Sequence, residues 1–231
     1  MMSSEYIEEQ STSTHADMRR KGFWDTPKGV IINNGLIASE LMEAFEGVRN
    51  NKRVEPDMVK IALEAIAAQS NWTDLGRESY AQLYKMGIKD TVEAEFAGTC
   101  IRCVDTIGGR IREGGGFIMD GQNQNIRCDL SYIAANVEEQ IARALEGAER
   151  VDGGELENDM LAEAIINMLP AALGIQTGGA ELGYLTELAS VVETLKNVCL
   201  LSRWFGIDLL THIQLECAYN RTRPYKHNKG F

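Results

Sequence analysis

The chain has 231 residues, 44% of them hydrophobic and 25% charged, with a formal net charge of -11. Those proportions suit a globular protein with an ample core, in one large domain or two small ones. So acidic a surface repels phosphate backbones, which excludes a nucleic-acid polymer as a bulk-surface partner. No apolar run approaches the roughly 20 residues that span a bilayer. The polar, acidic start MMSSEYIEEQSTST is unlike a secretory leader, so a cytoplasmic protein with no membrane partner is expected. Cys100, Cys103, Cys128, Cys199 and Cys217 are odd in number and scattered, as reduced structural thiols are; the CxxC of Cys100 and Cys103 has no second pair to complete a zinc site.

Prolines occur only at 27, 56, 170 and 224, and no stretch alternates apolar and polar residues. The fold class is therefore all-α. A short or frayed helix over 5–20 leads into an aromatic-bearing loop over 21–27. A helix follows over 35–50, then one over 57–69, with Pro56 opening it and Glu55 and Asp57 favouring its start. Further helices cover 77–86, stopped by Gly87, and 90–106, ended by Gly108 and Gly109. The Gly- and Asn-rich stretch 112–128 reads as a mobile loop at the boundary between halves 1–110 and 111–231, one compact domain being the alternative. Helices then cover 129–150, 157–169, 180–204 and 208–219, and the tail RTRPYKHNKGF does not continue the last of them. Three short similarities recur in order about 100 residues apart, among them AFEG at 44–47 and ALEG at 144–147. They suggest a degenerate tandem duplication in which Gln140 and Arg143 stand where Glu40 and Glu43 do, or a coincidence among acidic, Ala-rich helices.

The helix over 35–50 sets Glu40, Glu43 and Glu46 at successive spacings of three, each step leaving side chains about 60° apart. Like charges so placed repel by a few tenths of a kcal/mol per pair, roughly. A divalent cation would offset that on a partly buried face; a solvated acidic face is the bland alternative. On the helix over 90–106, Glu95 and Arg102 lie two turns apart and face one way, while Glu93 points elsewhere. Arg102 then either reaches a phosphate or bridges to a carboxylate. Trp24 either stacks on a nucleobase or staples the loop to the first acidic helix. Arg221, Arg223, Lys226 and Lys229 concentrate positive charge at the C-terminus, which suits a small anionic ligand better than a polymer. His15, His212 and His227 form no metal-ligand spacing.

Three segments then carry a resemblance: KGFWDTPKGVIINNGLIASELMEAFEGVR, IKDTVEAEFAGTCIRCVD and FGIDLLTHIQLECAYNRTRPYKHNKGF. Together they resemble the MazG-like all-α nucleoside triphosphate pyrophosphohydrolases of phages and bacteria. The resemblance implies an antiparallel helical bundle assembled as a homo-oligomer, a dimer or a dimer of dimers. It implies cleavage of a (deoxy)nucleoside triphosphate between the α and β phosphates by a metal-activated water. Magnesium, or manganese, would sit on Glu40, Glu43 and Glu95, the implied catalytic set. Tyr219, Asn220 and Arg223 match the family's YNxxR, and Lys226 and His227 its KH, so Tyr219, Asn220, Arg223 and Lys226 would bind substrate along with Trp24 and Arg102, a solvated basic tail being the bland alternative. One departure stands out: the family's second motif is ExxD, and its aspartate position is Gly98 here. Either three carboxylates suffice, or the chain is a catalytically weakened nucleotide-binding or assembly protein of the same fold.

Overall fold

The computed structural model describes residues 2–26, 29–68, 73–112, 117–119, 125–127, 129–152, 154–176, 183–184 and 187–224. Ser3 caps the first helix, α1 (Ser4–Arg20), by accepting from the Tyr6 amide. α2 (Val30–Arg49) buries the stripe Ile37, Leu41, Ala44 and Val48 and ends before Asn51, whose φ of 51° reverses the chain. Pro56 opens α3 (Pro56–Ala67), where its missing N–H costs nothing, and Thr73 caps α4 (Asp74–Gly87). α5 (Val92–Arg112) is followed by α6 (Leu130–Leu145), α7 (Glu157–Ala172), α8 (Glu187–Trp204) and α9 (Leu209–Thr222), with Asp129 and Asp208 as side-chain caps of α6 and α9. Two antiparallel hairpins complete the described residues: β1 (Phe117–Met119) with β2 (Asn125–Arg127), and β3 (Ile175–Gln176) with β4 (Gly183–Tyr184). Among the described residues the remaining regular structure is helical.

α5 is the axis of the molecule. It is buried almost continuously from Val92 to Gly109, and α1, α2, α8 and α9 all pack on it. One hydrophobic cluster joins Ile7, Leu41 and Phe96 to Ile133, Ile165 and Leu195, so 1–110 and 111–231 share a core. A smaller cluster under α3 and α4, with Tyr80 and Tyr84, meets Leu215 and Tyr219 of α9. α6 packs on α8 and α2 on α5; Gln140 is bonded to Asn136 and Arg143 to Glu139 on α6 itself. Cys100, Cys103 and Cys199 are buried free thiols and Cys217 a partly buried one; Cys128 lies outside the described residues. Among the described residues no helix is long and apolar enough to cross a membrane.

Several expected boundaries move. α1 is a full 17-residue helix rather than a frayed one, because Ile7, Met18 and the small or polar Ser11, Thr14 and His15 give it a continuous buried face. α2 begins five residues earlier than 35, and α7 runs through Pro170 to Ala172, where a proline's fixed φ costs only one late hydrogen bond. The stretch 112–128 contains the β1–β2 hairpin rather than loop alone, and within 180–204 Gly183–Tyr184 form strand β4 and the helix starts at Glu187. Instructive too is α5, which does not stop at Gly108 and Gly109. Those glycines are packing sites: a Cβ on Gly108 would lie 2.3 Å from the Ser11 carbonyl oxygen, and one on Gly109 2.3 Å from the Trp24 ring.

Gly108→Ala is therefore expected to destabilise the protein although alanine favours helix. Propensity contributes roughly 0.5–1 kcal/mol in its favour, overpacking against an immovable backbone costs roughly 1–3 kcal/mol, and the latter wins. Thermal unfolding should show a midpoint about 2–4 °C lower; an unchanged or higher midpoint would contradict the close packing of α1 on α5.

Candidate metal and anion pocket

The packing of α2 and α9 on α5 leaves a pocket of about 450 Å³ whose walls come from all three, together with α4 and Phe23. Glu40 and Glu43 enter from α2, where Leu41 and Ala44 bury the adjacent stripe and hold that face against α5. Glu95 enters from the first turn of α5 and is only 6% exposed. One carboxylate oxygen from each of the three lies within 4.8 Å of the others. Glu46 does not join them: it is half exposed and pairs with Arg49, having rotated another 60° off the shared face.

Glu40 is held on two sides. Its Oε1 accepts from Arg102 Nε at 3.0 Å, and Glu95 lies close on its other side. Burial, then the neighbouring charges of Glu40 and Glu43, push Glu95 far above the ordinary carboxylate range, so that it keeps a proton at neutral pH.

α9 contributes a third wall through residues 216 and 219, spaced to share one helix face, and Arg223 joins them from just past the last turn. Glu216 accepts from the Tyr84 hydroxyl and from Asn220 Nδ2 at 2.9 Å, and burial raises its pKa. Tyr219 stacks on Tyr84 with ring centroids 4.4 Å apart and planes 10° off parallel, and Arg223 lies over the Tyr219 ring at 5.6 Å. Phe23, Ile32 and Leu36 give an apolar side, and Lys89 a further cation near the carboxylates.

The sequence-predicted residues divide. Glu40, Glu43, Glu95, Arg102, Tyr219 and Arg223 converge on this pocket. Asn220 supports Glu216 rather than lining the pocket. Trp24 is turned away: its Nε1 donates to Asp105 Oδ1 at 2.9 Å, and its ring meets His15 edge-on at 4.9 Å. It holds α1 to α5, and the aromatic that lines the pocket is its neighbour Phe23. Asp105, committed to Trp24 and His15, is remote from the three glutamates, and Glu93 is bonded to Arg53 Nε at 2.5 Å. Lys226 and His227 lie outside the described residues. Sequence reading missed Glu216, Phe23, Tyr84 and Lys89. Glu216 was within reach, since it precedes Tyr219 by three and Arg223 by seven.

The donor set fits a hard cation. Octahedral magnesium holds oxygens at about 2.0–2.1 Å, so its ligand oxygens stand about 3 Å apart when adjacent and about 4.2 Å when opposite, and a triad within 4.8 Å would draw together by up to roughly 2 Å to share one ion. Three carboxylates, an all-oxygen set with room for water and phosphate, suit magnesium or manganese better than a thiol- or imidazole-seeking metal. Compared with known proteins, the chain matches no family model, and no curated protein or solved structure matches it either.

Proposed function

We propose that this pocket is the active centre of a metal-dependent nucleoside triphosphate pyrophosphohydrolase of the MazG-like all-α type, releasing pyrophosphate and a (deoxy)nucleoside monophosphate. The observation that carries the reading is the convergence of Glu40, Glu43 and Glu95 from two helices beside Arg102 and Arg223, in a cavity large enough for a nucleotide. Magnesium held by the three glutamates would neutralise a polyphosphate and make neighbouring water more acidic. The remaining roles belong to the chain itself. Arg223 presents a planar donor fork to phosphate oxygens, and Lys89 adds a point charge. Glu95 would give up its proton when the cation binds, and a carboxylate of the triad would accept the proton of the attacking water. Phe23, Ile32 and Leu36 offer an apolar shelf for a base.

Purified protein with magnesium and a panel of ribo- and deoxynucleoside triphosphates is expected to release pyrophosphate, and Glu40→Gln to lower that rate at least tenfold. No release above background with any nucleotide, together with no effect of Glu40→Gln, would remove the enzyme reading. Gly98 favours a second one, a catalytically weakened nucleotide-binding or assembly protein: nucleotide would then raise the thermal midpoint with magnesium while no pyrophosphate formed.

A further inference from the structure

Across α9 from the pocket lies a second depression that the proposed reaction does not use. Residues 216, 219 and 223 face the carboxylates, whereas Cys217 and Arg221 point to the other flank, toward α1. There two adjoining hollows of about 750 and 320 Å³ share Asp17, Arg20 and Arg221. Arg19 and Arg112 complete one and Lys21 and Arg77 the other, so six cations surround one carboxylate in a chain of net charge -11. Asp17 is already shared by two of them, Arg20 and Arg221. Among the described residues no carboxylate is within ion-pair distance of Arg19, Arg77 or Arg112.

Some of this charge has a local explanation. Arg19 and Arg20, Arg112, and Arg221 lie in the last turns of α1, α5 and α9, where cations offset the helix dipole. Arg77 breaks the pattern. It stands in the first turn of α4, the end at which a cation is disfavoured, yet it joins the same cluster. Lys21 is half-buried beside Arg20, Arg221 and Arg223, where burial lowers its pKa to about 8. Cations crowded so closely around one shared carboxylate call for an anion bearing several charges.

We propose that this α1–α9 flank is a second anion site, taking a short oligophosphate chain and separate from the acidic pocket. The six donors line two adjoining depressions that share Asp17, Arg20 and Arg221, which fits a short ligand of three or more negative charges lying across them. A nucleic-acid strand would extend beyond them onto a strongly acidic surface.

The test is isothermal titration of the full chain with sodium triphosphate in EDTA at low salt. Metal is absent there, so the carboxylate pocket repels the probe and no turnover is required; failure of this site and failure of the pyrophosphohydrolase reading are thus distinguishable. Saturable binding is expected, weakening steeply with salt. It should fall at least tenfold in Arg20→Glu/Arg221→Glu and be retained in Glu40→Gln/Glu43→Gln. Arg20 and Arg221 side chains are 77% and 63% exposed, so the double variant should keep its fold, which its own melting curve checks. Arg77→Glu/Arg112→Glu provides an independent pair. Absence of saturable heat overturns the proposal, as does binding that survives both double variants. Tighter binding of a single-stranded oligonucleotide than of triphosphate overturns the small-ligand assignment.

Discussion

Glu95→Gln is expected to lower metal-dependent pyrophosphate release at least a hundredfold, and at the same time to make the metal-free protein more stable at pH 8. The two effects share a cause. Glu95 is 6% exposed and faces Glu40 and Glu43, and burial followed by those charges lifts its pKa well above the ordinary carboxylate value. Below the ordinary value, about 4.3, folded and unfolded chains both hold the proton and nothing is lost. As pH rises from there, the unfolded chain releases its proton while folded Glu95 keeps it, and stability falls until the folded pKa is passed. Glutamine keeps the shape without that cost. The metal-free variant should therefore gain roughly 1–3 kcal/mol at pH 8, or about 3–10 °C, and gain little at pH 4. Magnesium should reverse the order, stabilising the native protein and leaving the variant unmoved. Equal melting curves at pH 8 without metal, with turnover intact, would show that Glu95 is neither strained nor functional.

How far the sequence reveals this site depends on the kind of information each residue carries. Glu40 and Glu43 are legible because a spacing of three on an apolar-striped helix is a local fact. Glu95 and Arg102 are legible because two turns of one helix return to one face. Glu216 is hidden, since its carboxylate matters only after α9 packs across α5 and Tyr84 arrives from α4 to donate to it. Trp24 and Phe23 are adjacent, and which ring turns to the pocket is decided by Asp105, some eighty residues away, taking the indole N–H. The same distance problem hides the end of α5. A double glycine reads locally as a stop, but here it admits the Ser11 carbonyl and the Trp24 ring, a reason visible only from α1. The all-helical class was readable because it rests on pattern alone. The short hairpins were not, being three residues per strand or fewer.

Gly98→Asp tests the position where the chain lacks the aspartate of the pattern it resembles, and the structure makes its outcome specific. A Cβ at Gly98 would lie 2.7 Å from Glu40 Oε2, so Glu40 occupies the space an aspartate there would claim. Alanine requires only that the flexible end of Glu40 move, loosening its contact with Arg102. That contact is worth about 1 kcal/mol or less, and the helix-propensity gain from glycine is of similar size, so Gly98→Ala is expected to be near neutral. Aspartate adds a negative charge beside Glu40 and Glu95. Without metal it should destabilise by roughly 2 kcal/mol, since Arg102 is already engaged by Glu40. With metal the sign changes: a fourth carboxylate on the same face should tighten magnesium binding about tenfold, which is about 1.4 kcal/mol, and raise pyrophosphate release at limiting magnesium by a similar factor. Titrating magnesium into the native, alanine and aspartate proteins while following melting temperature and turnover separates the terms. If alanine and aspartate behave alike with and without metal, charge at position 98 does not matter, and the glutamates beside it do not hold a cation.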